Sequence, residues 1–179
     1  MTKPMPLSII VDTREQCPFR FQGHSCYEGT TVTAGTLATG DYSIAGLTHL
    51  VAVERKSLAD LVGCLGSGRE RFERELERAR ALEAFAVVCE GSFPDLAHGE
   101  YRGRLNPHAA CQSICSWMSR LGIPFFFAGS RGGAEYVTHS FLRQYAEGKR
   151  KELKAIEKAL AGKGCGARSE AGNGTGDAA

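Results

Sequence analysis

Val51-Ala52-Val53-Glu54-Arg55-Lys56-Ser57-Leu58-Ala59-Asp60 begins as an apolar, β-branched run and ends in charge. That is the pattern of a buried strand leaving the core at its C-terminal end. Side chains alternate along a strand, so Val51, Val53 and Arg55 take one face while Glu54 and Lys56 take the other. A carboxylate and an ammonium therefore share a face. Just upstream, Gly40-Asp41-Tyr42-Ser43-Ile44 and the turn-like Ala45-Gly46-Leu47-Thr48-His49 make an antiparallel hairpin the natural reading. With the turn centred between Leu47 and Thr48, Asp41 stands directly opposite Glu54.

Carboxylates facing each other across a ladder, about 5 Å apart at Cβ, repel unless a proton or a cation lies between them. A hard divalent cation suits that position, magnesium or manganese given the oxygen ligands, and a neighbouring lysine can orient a water or offset charge on a phosphoryl oxygen. An ordinary solvated strand end explains a lone charged triplet. It does not also explain Asp41 and the apolar run.

The chain of 179 residues is the size of one α/β domain with a core that needs no disulfides. Its near-neutral balance hides a gradient: residues 1–100 carry 10 Lys and Arg against 14 Asp and Glu, residues 101–179 carry 12 against 6. A basic half beside an acidic site suits a polyanion held against a metal centre. The start, Met1-Thr2-Lys3-Pro4-Met5-Pro6, lacks the apolar stretch of a secretory leader. The seven cysteines then read as reduced thiols, which predicts a cytoplasmic protein, nucleoid-associated in a bacterial or phage setting. Two groups invite a zinc reading, His108 with Cys111 and Cys115, and Cys17 with His24 and Cys26, but neither has paired CxxC spacing, so core or surface thiols are favoured. No apolar run approaches the roughly 20 residues that cross a membrane.

Along the chain, Leu7-Ser8-Ile9-Ile10-Val11 is a buried strand that delivers Asp12-Thr13-Arg14-Glu15 at its end. Asp12 or Glu15 is placed to support a metal site and Arg14 to pair with an acid or phosphate, unless Asp12 only bonds nearby amides. Thr30 to Thr33 reads as a further strand. After Lys56 the period changes, and Ser57 with Asp60 forms a capping box that starts a helix; Asp60 is thus expected to fix that start rather than bind metal directly. Gly63-Cys64-Leu65-Gly66-Ser67-Gly68 lacks the Lys-Ser/Thr ending of a P-loop, which excludes a nucleotide cofactor. Arg69 to Glu83 reads as an amphipathic helix with Phe72, Leu76, Ala79 and Leu82 inward, its Arg and Glu mostly solvated, with Arg69 and Arg71 placed to touch a DNA backbone.

Phe85 to Cys89 is another buried strand; Glu90 at its end is expected to face the cleft of Glu54 if the strands are neighbours. Arg102 and Arg104, in a glycine-containing loop, are candidate phosphate contacts. Asn106-Pro107 opens a helix to Leu121, Phe125 to Phe127 form a strand near an edge, and Glu135 to Tyr145 a last packed helix. The expected organisation is a domain over 1–146, a basic helix over 147–161, and a disordered Gly/Ala-rich tail over 162–179.

With these motifs placed, the chain resembles the XPF-type nuclease domain of structure-specific endonucleases, a group that includes the archaeal Hef nuclease. The matching residues are Val11-Asp12-Thr13-Arg14-Glu15, Gly40-Asp41-Tyr42, Glu54-Arg55-Lys56 with Asp60, and Gly68-Arg69, in the family's order. The resemblance implies a restriction-endonuclease-like α/β core of the PD-(D/E)XK type, a central mixed sheet flanked by helices. It implies that Asp41 and Glu54 bind Mg²⁺ or Mn²⁺, that the Arg55 carbonyl can add a ligand, that Lys56 is catalytic, and that Asp12, Glu15 and Asp60 line the site. Such a protein is expected to cleave branched or structured DNA and can pair as a homodimer through the nuclease domain. Relatives that act on forks and flaps usually carry a tandem helix-hairpin-helix module after this domain. The same core also occurs in junction resolvases and restriction-type nucleases, and in non-catalytic DNA-binding subunits, which typically lose the acidic signature kept here.

Overall fold

The computed structural model describes residues 6–162. Six strands form one mixed sheet: β1 (Leu7–Asp12), β2 (Thr30–Gly35), β3 (Tyr42–Ile44), β4 (Val51–Lys56), β5 (Ala84–Cys89) and β6 (Phe125–Phe127), in the order β2-β1-β3-β4-β5-β6. The central β3 runs antiparallel to both neighbours, while β1 with β2, β4 with β5 and β5 with β6 are parallel. Parallel neighbours need crossovers: α1 (Leu58–Leu65) and α2 (Arg69–Ala79) join β4 to β5, α3 (Phe93–His98) and α4 (Pro107–Leu121) join β5 to β6, and β1 reaches β2 through residues 13–29, a loop with one short 3-10 turn.

The alternation read from the sequence is visible in which core each strand residue enters. Ala52, Phe85, Val87 and Cys89 pack with Leu61, Phe72, Leu76 and Trp117 on one face of the sheet. Val51, Val53, Val88, Ile9 and Val11 pack with Phe19, Tyr42, Ala134 and Leu142 on the other. Glu54 and Lys56 consequently leave the strand on the side of α1 and α2, and Arg55 on the opposite side.

Local chemistry sets the helix ends. Ser57 caps α1, its Oγ accepting from the Asp60 N–H at 3.1 Å and donating to Asp60 Oδ2 at 2.6 Å. Asn106 caps α4, with Pro107 at its first position and Gly122 in the left-handed conformation at its end. Three expectations shift. α2 stops at Ala79 rather than reaching Glu83, so Leu82 packs from a turn. α3 was not expected, although Ser92 and Asp95 form a capping box around Pro94; six residues are too few to show a period. The two helices expected on either side of Gly148 are one, α5 (Arg131–Gly162), since an interior glycine costs only about 1 kcal/mol relative to alanine.

The compact unit ends at Ala146, and residues 147–162 form a helical unit of their own. No helix among the described residues is long and apolar enough to cross a membrane. The expected disordered tail lies, beyond Gly162, outside the described residues.

Candidate active site

The sheet register puts Tyr42 against Val53, so Asp41 falls opposite Glu54, as the hairpin predicts. Gly40 makes that placement feasible. It sits at φ +78°, and a Cβ there would come within 2.9 Å of Ala52 Cβ and 3.1 Å of the Val53 carbonyl. The Asp41 N–H donates to Val53 O at 2.8 Å, and Asp41 Oδ2 accepts from the Arg55 N–H at 2.8 Å. A backbone amide on each side thus anchors the aspartate to β4.

Glu54 is 4% exposed and pairs through Oε1 with the Lys56 ammonium. Lys56 Nζ also lies 5.3 Å from the centre of the Phe72 ring, so α2 roofs the pair. Burial, and then the charge of Asp41, push Glu54 above the ordinary carboxylate range. Burial likewise raises Asp41, to about 6, with the Arg55 amide and Lys56 pulling the other way. Burial works against the Lys56 ammonium, but the charge of Glu54 and its hydrogen bond outweigh it, and the lysine pKa rises. Two acids that resist joint ionisation, beside a lysine whose pKa is raised, favour a proton or a cation between them.

The donor set fits magnesium or manganese. One oxygen each of Asp41 and Glu54 is outside any hydrogen bond among the described residues, and Mg²⁺ is commonly held by one or two carboxylates with water and phosphate oxygens completing its shell. Among the described residues no group of three or more His, Cys, Asp or Glu is drawn together to hold a metal.

Behind this pair, the Arg55 side chain crosses to the other face of the sheet. Its Nε donates to Glu90 at 2.8 Å and its Nη1 reaches Glu15 at 3.3 Å, with only 13% of the side chain exposed. Arg131, at the start of α5, donates to the same Glu90 oxygen at 2.8 Å and to the Cys17 carbonyl at 2.6 Å. The chain Glu15–Arg55–Glu90–Arg131 thereby ties together the segment after β1, β4, the end of β5 and α5. Glu90 is a correction to the sequence reading: β4 and β5 are neighbours, yet its carboxylate is on the Arg55 side rather than facing Glu54.

The sequence model of the ERCC4 domain matches residues 11–140, most of the chain. The chain belongs to the ERCC4 domain family. No curated protein matches it by sequence. Among solved structures, XPF from Aeropyrum pernix superposes with a TM-score of 0.61 at 23% identity, covering 77% of this chain and 61% of the other. A second structure, of the same XPF in complex with DNA, gives a TM-score of 0.61 at 23% identity over 79% and 66%. The chain thus spans less than two thirds of those proteins. The fold is the restriction-endonuclease-like one that the resemblance implied.

The ERCC4 signature residues take unequal positions around the carboxylate pair. Asp12 is buried and its lone pairs are committed: Oδ1 accepts from the Arg14 N–H and Nε at 2.8 and 2.7 Å, Oδ2 from the Leu37 N–H and Arg14 Nη2 at 2.7 and 3.0 Å. The Arg14 guanidinium foremost, against burial, brings its pKa to about 2. In this arrangement Asp12 braces the segments after β1 and β2 and has no acceptor left for a metal. Glu15 braces Arg55 and accepts from the Cys17 N–H at 2.6 Å. Asp60 is exposed and starts α1, as expected.

Arg69 does not point freely outward. Its guanidinium donates to Ser113 Oγ at 2.8 Å, approaches Glu73 at 3.4 Å and stacks 5.1 Å from the centre of the Trp117 ring. It joins α2 to α4. Arg14 is 68% exposed but already forked onto Asp12. Arg71, Arg102 and Arg104 are exposed and make no ion pair among the described residues. Sequence reasoning missed Glu75, which is half-buried on α2 and adds negative charge felt by Asp41, Glu54 and Lys56. A signal was present: Glu75 lies three residues after Phe72 and four before Ala79, on the flank of the buried stripe rather than the solvated face.

Proposed function

We propose that this ERCC4 domain is a divalent-metal-dependent endonuclease that hydrolyses phosphodiester bonds in branched or structured DNA. The observation that carries the reading is the placement of Asp41 opposite Glu54 with the Lys56 ammonium on Glu54, all at the end of one hairpin. Family membership and the likeness in fold to XPF support it.

Asp41 and Glu54 would hold the cation. When bound, Mg²⁺ or Mn²⁺ lowers the pKa of a water and polarises a phosphate oxygen. Lys56, its pKa raised, keeps its proton at neutral pH and so serves as a donor and fixed positive charge beside the reacting phosphate rather than as a base. The Arg55 N–H holds one Asp41 oxygen, which leaves the other to face the cation. The Glu15–Arg55–Glu90 network keeps β4 in place from behind, so the carboxylates need not reorganise during the reaction. Arg71, Arg102 and Arg104 contribute phosphate contacts by their free charge. Self-association through the nuclease domain belongs to the same reading, and light scattering checks it.

The test is a panel of flap, fork, four-way junction and linear duplex DNA incubated with the protein in MgCl₂, MnCl₂ or EDTA. Cutting of the branched substrates with metal and none in EDTA is expected. Preference for the junction alone points to a resolvase, and preference for linear duplex to a restriction-type enzyme. Binding without cleavage of any substrate would overturn the catalytic reading.

A further inference from the structure

On the α1 and α2 side of Lys56 a cleft of about 350 Å³ opens, bordered by Lys56, Asp60, Gly63, Cys64, Gly68 and Arg71. It begins at the residue that faces the carboxylate pair and continues away from it. Its size is in the range that receives a small ligand or one unit of a polymer.

Three observations give the cleft a chemistry. The first is charge. Arg14, Arg55, Lys56, Arg69 and Arg131 are each held by a carboxylate, whereas Arg71 is exposed with no ion pair among the described residues. Lys56 and Arg71 also border the same cleft beside Cys64, whose thiol they pull down against burial and the charges of Glu54 and Glu75. The second is shape. A Cβ on Gly63 would meet nothing within 4 Å, and one on Gly68 would come within 3.1 Å of the Gly63 carbonyl, so the glycine segment lies on α1 and leaves a side of the cleft bare of side chains. The third is placement: the one acid on the border, Asp60, is tied through Oδ2 to the Ser57 hydroxyl at the helix cap and makes no ion pair with Arg71 among the described residues. An unpaired arginine beside a backbone-lined wall, with the Glu54-paired Lys56 at the other end, suits a sugar-phosphate chain, which is flat enough to pass glycine and carries a charge at every step.

We propose that this cleft holds the DNA phosphate next to the scissile one, between Arg71 and Lys56, so that Arg71 sets the path of the cut strand. The ligand rests on the nuclease reading. Binding in the absence of metal is nevertheless measurable whether or not the protein cuts.

The experiment is fluorescence anisotropy with a labelled oligothymidylate of roughly 12 nucleotides, in EDTA, over a series of salt concentrations. Arg71→Gln is expected to weaken binding about fivefold and to lower the salt slope by about 0.7, the value for one single-strand phosphate contact. Gly63→Leu adds no charge and fills the open side from a helical position; it is expected to weaken binding comparably while the melting temperature holds. Arg80→Gln, a surface arginine paired with Glu77, is expected to bind as wild type. The proposal is overturned if either Arg71→Gln or Gly63→Leu binds as wild type, or if Arg80→Gln loses as much as Arg71→Gln.

Discussion

The backbone N–H of Arg55 reaches Asp41 Oδ2 at 2.8 Å, while its guanidinium lies on the far face of the sheet against Glu15 and Glu90. One residue therefore contributes to the acidic site by its main chain and to the scaffold by its side chain. The consequences separate in experiment.

Arg55→Ala removes the cation between two largely buried acids, leaving Glu15 with only the Cys17 amide and Glu90 with Arg131 alone; breaking a buried pair from one side typically costs about 3–5 kcal/mol. Urea denaturation is expected to show a loss of that order. Arg55→Lys is expected to recover little, since an ammonium cannot span both carboxylates as the guanidinium fork does. A stable Arg55→Ala protein would mean the network is dispensable.

Gly40→Ala forces a side chain onto a left-handed residue and against both Ala52 and the Val53 carbonyl. Strain of this kind costs on the order of 1–3 kcal/mol, and relief requires Asp41 to move. Both stability and cleavage are expected to fall together, with no change in single-strand binding. Wild-type cleavage by this variant would contradict the role given to Gly40.

Stability of the metal-free protein should depend on pH through the acidic pair. Asp41 and Glu54 have folded pKa values raised above their unfolded ones, so their contribution is fully present below the unfolded values and is lost as pH rises through the folded ones. Asp12 has the opposite sign. Its lowered value means stability present above its unfolded pKa and lost as pH falls through about 2. In EDTA the melting temperature is expected to drop between about pH 5 and pH 8, Mg²⁺ to reverse the drop, and Glu54→Gln to flatten it. A profile that is flat for wild type in EDTA would remove the basis for the pair.

The hairpin register, the change of period after Lys56 and the alternation along β4 are local properties, and each was readable because it depends on residues within a few positions of one another. The parts that were not readable are long-range. Nothing near Arg55 in the chain identifies Glu90 or Arg131 as its neighbours, since the parallel pairing of β4 with β5 and the position of α5 bring them together. Arg69 read as an outward cation because its partners Ser113 and Trp117 belong to a helix some forty residues on. Glu75 was legible in principle but was masked by the charged composition of α2, where eight of eleven residues are Arg or Glu.

Catalysis at the Asp41–Glu54 pair is read out by the single-turnover cleavage rate of a labelled flap substrate in MgCl₂, compared between wild type and Glu54→Gln. Glutamine preserves the shape of the side chain and removes the charge that pairs with Lys56 and holds the cation. Cleavage by wild type is expected, with a rate at least about 100-fold lower for the variant and flap binding in EDTA retained. Equal rates for the two proteins would contradict catalysis at this pair.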